Sequence, residues 1–123
     1  MDALKNNLFI LLSWIAIYFA PAGEFIMLIG FFIGADTVTG TIASLRRGEP
    51  FSTKRLSDFI WKFCVYGVAI LVANVLQTQF FPEFPGMKII AGLIAYNELM
   101  SIDENIHSLT GVSLFKFFIK KLK

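Results

Sequence analysis

The groups in this chain that could do chemistry are concentrated in one stretch, NELMSIDENIHSLTG at 97–111, where Glu98, Asp103 and Glu104 interrupt a mostly apolar sequence. On a helix turning about 100° per residue, Glu98, Ser101, Asn105 and Ser108 fall on one side, bordered by Asn97 and Glu104. Leu99, Ile102, Ile106 and Leu109 collect on the opposite arc, so the segment reads as an amphipathic helix. Glu98 lies about 16 Å along a helix starting near Met87, a depth that suits helix association, water lining or ion passage, with structural pairing as the alternative. Catalysis is not expected. One histidine, His107, and one cysteine, Cys64, supply neither a metal cluster nor a Cys/His or Ser/His/Asp set, and no GxxxxGK[ST] loop is present. No cofactor is implied.

Two further polar positions stand inside apolar runs. In GADTVTG at 34–40, Asp36 with Thr37, Thr39 and Gly40 interrupts a helix, either as end-of-helix residues at a membrane edge or as a buried, paired charge. Gly30 and Gly34, one turn apart, would let another helix approach closely. Lys62 follows Asp58 at i+4, which suits a local ion pair, although snorkelling towards headgroups is the preferred reading.

The elements that must carry these residues are membrane helices. At 123 residues the chain is one domain, and its 56% hydrophobic residues with 14 Phe exceed what a globular domain of this length could bury. A mean hydropathy of +0.68 agrees with an all-α integral membrane protein. Four apolar helices are expected, at about 4–20, 25–45, 59–81 and 87–108, forming a single membrane domain of two hairpins with three to four membrane helices. The first offers only about 17 residues, or some 25 Å, and so would tilt, thin the bilayer or cross incompletely. PAGE at 21–24 and PEFPG at 82–86 hold Pro, Gly and Glu and are predicted to be the hairpin turns. Lys5, the run Leu8–Ala20 and Ala20-Pro21-Ala22 imitate a cleaved secretory signal, but the apolar character resumes at Phe25 as in a stop-transfer segment.

Charge sets the expected orientation. A net charge of +2 is too small to suggest nucleic acid, yet the loop 46–58 gathers Arg46, Arg47, Lys54 and Arg55, and the tail 113–123 carries Lys116, Lys120, Lys121 and Lys123. Short basic segments remain cytoplasmic, which places both termini and the central loop inside, on the inner membrane. SLFKFFIKKLK at 113–123 further reads as a short basic amphipathic helix lying on an anionic leaflet.

The paired elements Asp36-x-x-Thr39-Gly40 and Glu98-x-x-Ser101-Ile102-x-Glu104-Asn105, the latter followed by Gly111, together with Ser52 to Lys54 in the basic loop, resemble the phage holin family of the toxin-secretion and phage-lysis type. The resemblance covers roughly residues 25–115. It implies a non-enzymatic protein that forms homo-oligomers in the bacterial inner membrane and permeabilises it, releasing an endolysin or other protein. On that reading Asp36, Thr39, Gly40, Glu98, Ser101, Glu104 and Asn105 act in oligomerisation or as a polar lining. Two other classes fit the residues: a non-lytic membrane anchor or scaffold docking a cytoplasmic partner, and a small ion or proton channel using Asp36 and Glu98.

Overall fold

The structure, a computed structural model, describes residues 1–122. Helix α1 runs Asp2–Arg46, α2 Lys54–Val75, α3 Gly86–Thr110 and α4 Leu114–Leu122. Between α2 and α3 the helix widens into a π-helical segment, Leu76–Phe80, closed by the Phe81 amide on the Leu76 carbonyl at 2.9 Å. The second half of α1, α2 and α3 form an antiparallel three-helix bundle. Its apolar core joins Ala22, Ile29 and Ile33 of α1, Ile70 and Ala73 of α2, and Met87 and Ile94 of α3. These positions recur at three-, four- and seven-residue steps, one stripe per helix. Phe59 and Phe63 of α2 stack with ring centroids 6.3 Å apart, against Gly34 and Gly30 respectively.

The outside of the bundle is apolar. Trp14, Met27, Phe31 and Trp61 are each about 70% exposed or more, a surface that water would not tolerate and hydrocarbon would. Two helices, Asp2–Arg46 and Lys54–Phe80, are long and apolar enough to cross a membrane.

The expected reversal at PAGE does not occur: α1 passes through Pro21 as one helix of 45 residues, about 67 Å long. Proline removes one i→i−4 bond, but a helix survives that loss when contacts on both sides hold the axis. Here Tyr18 shares a 2.8 Å hydrogen bond with Thr78 and accepts one from Gln79 at 3.2 Å, while Ala22 is fully buried just beyond. Two consequences differ from the sequence expectation. The separate helices at 4–20 and 25–45 are one element, and Lys5 lies at the opposite end of it from the basic loop. No residue before Ala22 is buried, so 2–20 forms an apolar arm beyond the bundle.

The π-helical turn positions three side chains at once. Thr78 and Gln79 hold Tyr18 of the arm, and Gln77 accepts the free Met87 amide at 3.1 Å, completing the first turn of α3. At the other end α3 stops at Gly111, whose φ of +74° and 2.8 Å bond to the His107 carbonyl make a left-handed cap. The loop after α1 is tied down locally. Ser44 donates to Glu49 at 2.6 Å and Arg47 to Glu49 at 3.3 Å, which hold the Glu49 carboxyl below its usual range. Arg47 also donates to Ser108 at 3.2 Å, so the basic loop and the end of α3 share one end of the bundle.

Candidate functional site

One polar ring ties the three bundle helices together. Lys62 of α2 lies 3.1 Å from the Asp36 carboxylate of α1 and 3.3 Å from the Glu98 carboxylate of α3. The other Glu98 oxygen accepts from the Tyr66 hydroxyl at 3.0 Å, and Asn97 donates to that hydroxyl at 3.2 Å. Asn105 closes the ring, its amide nitrogen lying 2.9 Å from the Asp36 carboxylate, 3.1 Å from the Asp36 carbonyl and 3.0 Å from the Thr39 hydroxyl. Glu98 is wholly buried. A carboxylate there persists only because it is paired and hydrogen-bonded.

Each helix supplies its part for a local reason. Thr39 donates to the Ala35 carbonyl at 2.7 Å, which orients its oxygen towards Asn105. Gly40 is buried where α1 meets α3, and a Cβ there would lie 3.3 Å from the Asn105 amide and 2.6 Å from the Arg55 guanidinium. Alanine would gain about 1 kcal/mol in helix propensity, and the end of Arg55 can swing aside. Gly40→Ala is therefore expected to be near neutral, whereas Gly40→Val, which must also displace Asn105, costs about 2 kcal/mol. Denaturant unfolding in detergent micelles checks this, and equal stability of the two variants would show that Asn105 is not held there.

The two separated elements of the sequence thus meet: Asp36, Thr39 and Gly40 face Asn105, and Glu98 reaches the same ring through Lys62. Beside it a cleft of about 330 Å³ is lined by Asp36, Arg55, Asp58, Lys62, Ser101 and Glu104 among others. Glu104 is exposed and Ser101 half-buried, so both border the cleft without joining the ring. The snorkelling expected of Lys62 is replaced by the double pairing with Asp36 and Glu98. Its physical reason is depth. Counting from the end that carries the basic loop, Asp36, Lys62 and Glu98 lie about 15, 12 and 18 Å into their helices. That coincidence emerges only with the observed helix ends, since a third helix starting at 59, as expected from the sequence, puts Lys62 only about 4.5 Å in; Tyr66 lies one turn further in.

The remaining basic residues divide. Arg46 and Lys54 are exposed, Arg55 is half-buried against Gly40, and Lys116, Lys120 and Lys121 are exposed on α4. Lys123 lies outside the described residues. Among the described residues no group of His, Cys, Asp and Glu could hold a metal ion. The chemistry open to the ring is electrostatic: it locks three helices into one rotation and depth.

A sequence model described as the bacteriophage holin family matches residues 13–123. No curated protein and no solved structure matches the chain significantly.

Proposed function

Because the chain belongs to the bacteriophage holin family, we propose that this integral inner-membrane protein oligomerises and permeabilises the membrane, releasing an endolysin or other protein. The observation that carries the reading is the closed polar ring inside a protomer whose outer surface is apolar. As a single copy it presents hydrocarbon-compatible faces to lipid, and its polar opening is the cleft beside the ring. If the three helices separate, Asp36, Lys62, Glu98 and Asn105 lose their internal partners and become available to each other between copies or to water. Such a change is all-or-none by construction, since the ring is satisfied only when every helix is in register. The arm 2–20, uncovered in the protomer, adds apolar surface for neighbouring copies. By the positive-inside rule, the end carrying Arg46, Arg47 and Lys54 is cytoplasmic.

The test is induced expression in bacteria that also hold a cytoplasmic muralytic enzyme, following membrane potential and turbidity beside a Glu98→Gln variant. The expected result is abrupt loss of potential followed by lysis that requires the enzyme, with a shifted or abolished onset in the variant. Flat potential and turbidity with protein present in the membrane would overturn the reading. The chain of Asp36, Lys62, Glu98 and Tyr66 favours one second reading, a proton or ion path through the bundle. It predicts that Asp36→Asn and Glu98→Gln abolish flux in vesicles without lysis.

A further inference from the structure

The last helix is not used by the ring. Helix α4 divides cleanly: at about 100° per residue Leu114, Phe115, Phe118, Ile119 and Leu122 occupy one arc, while Lys116, Lys120 and Lys121 share the other with Phe117. Lys121 lies over the Phe117 ring at 5.4 Å, so the one aromatic on the basic side is covered by a cation. The apolar arc is only partly spent on the protein. Phe115 meets Tyr96 of α3 edge-on at 6.1 Å and Leu114 is half-buried, but Phe118 is 60%, Ile119 53% and Leu122 88% exposed. On the basic side, none of the three described lysines is in an ion pair among the described residues.

The helix is nonetheless held in place at its start. The Asp103 carboxylate, on a buried position of α3, accepts the Ser113 hydroxyl at 2.8 Å together with the amides of Leu114 and Phe115. This caps the first turn of α4 with a negative charge, the favourable sign for a helix N-terminus. The junction sits at the end of the bundle where Arg47 reaches Ser108. The tether there keeps α4 at the end of the bundle that carries the basic loop.

We infer that α4 docks in the plane of an anionic lipid leaflet, with Phe118, Ile119 and Leu122 in the acyl boundary and Lys116, Lys120 and Lys121 on lipid phosphates, and that Asp103 clamps its start to α3. Charge complementarity selects this occupant. A second copy of the chain would meet α4 with a surface of mixed charge, whereas an anionic leaflet satisfies the apolar and the basic arc of one helix at once. The docking is expected to weaken about fivefold for each lysine removed.

The test uses the full chain with Cys64→Ser, which removes an exposed thiol on α2, and a single cysteine at Ile119 or Lys120 carrying a nitrobenzoxadiazole label. The protein is placed in nanodiscs of phosphatidylcholine with or without phosphatidylglycerol, and label reduction by aqueous dithionite is timed. In anionic discs the Ile119 label is expected to be reduced about tenfold more slowly than the Lys120 label, a contrast that shrinks in neutral discs and after Lys116→Gln with Lys121→Gln. Equal rates at the two positions in anionic discs would overturn the inference. Protection of Ile119 that ignores phosphatidylglycerol but rises with copies per disc would overturn it in favour of a second copy.

Discussion

Lys62→Met is expected to destabilise the protein by about 3 kcal/mol, because it strands a wholly buried carboxylate at Glu98 and removes the ionic partner of Asp36. The figure is the low end for breaking a buried ion pair, since the Lys62 side chain is 35% exposed and retains some solvent screening. Methionine preserves the length and packing of the stem, so the loss reports the charge. The decisive control is Lys62→Met with Glu98→Gln. Glutamine still accepts from Tyr66 but carries no charge, and the double variant is expected to recover most of the loss. Unfolding in detergent micelles by denaturant measures both. A double variant no more stable than Lys62→Met would mean that Glu98 is not held by Lys62. On the proposed function, Lys62→Met also brings forward the loss of membrane potential after induction, because less free energy holds the protomer closed.

Asn74→Leu is expected to act in the other direction, raising stability by about 2 kcal/mol. Asn74 is wholly buried in α2, between residues of the apolar core, and among the described residues neither its side-chain oxygen nor its nitrogen has a hydrogen-bond partner. Its backbone carbonyl is occupied by the Thr78 hydroxyl at 2.8 Å, which leaves the amide side chain as the cost. Leucine branches at the same atom, so it fills the site while removing the desolvated groups. A higher unfolding midpoint in micelles is the expected result. A midpoint lowered by a similar amount would show that the amide is satisfied in the folded protein. In an opened bundle the same amide is a donor and acceptor for a neighbouring helix, so the variant is expected to delay lysis as well as stabilise the fold.

Much of the architecture was legible in the residues. The helical class and the membrane-length apolar runs follow from composition, since no globular core accommodates so many phenylalanines. The separation of polar from apolar positions at 97–108 follows from a 3.6-residue period. What misled the reading was Pro21. A proline followed by Gly23 favours a break on local grounds, but the local preference is worth only a few kcal/mol. Tyr18 on one side and Ala22 on the other are fixed by α2 and its neighbours, contacts some 60 residues away in the chain. Those contacts outweigh the missing hydrogen bond.

The sequence by itself determined that Glu98 had to be satisfied within the membrane, and left open whether Asp36 and Lys62 would be satisfied inside the protein or at the headgroups. Only the tertiary structure decided by whom. From the sequence, Lys62 has Asp58 one turn away on the same helix, or, as preferred, the headgroups. In the bundle Asp58 faces the open cleft, while Asp36 and Glu98 arrive from two other helices at the same depth. Periodicity constrains which face of a helix is polar, but not which helix that face will meet, nor at what height. Those two variables are set by the packing of Phe59 and Phe63 on Gly34 and Gly30 and by the close approach at Gly40. They are properties of three helices together, and no single helix contains them.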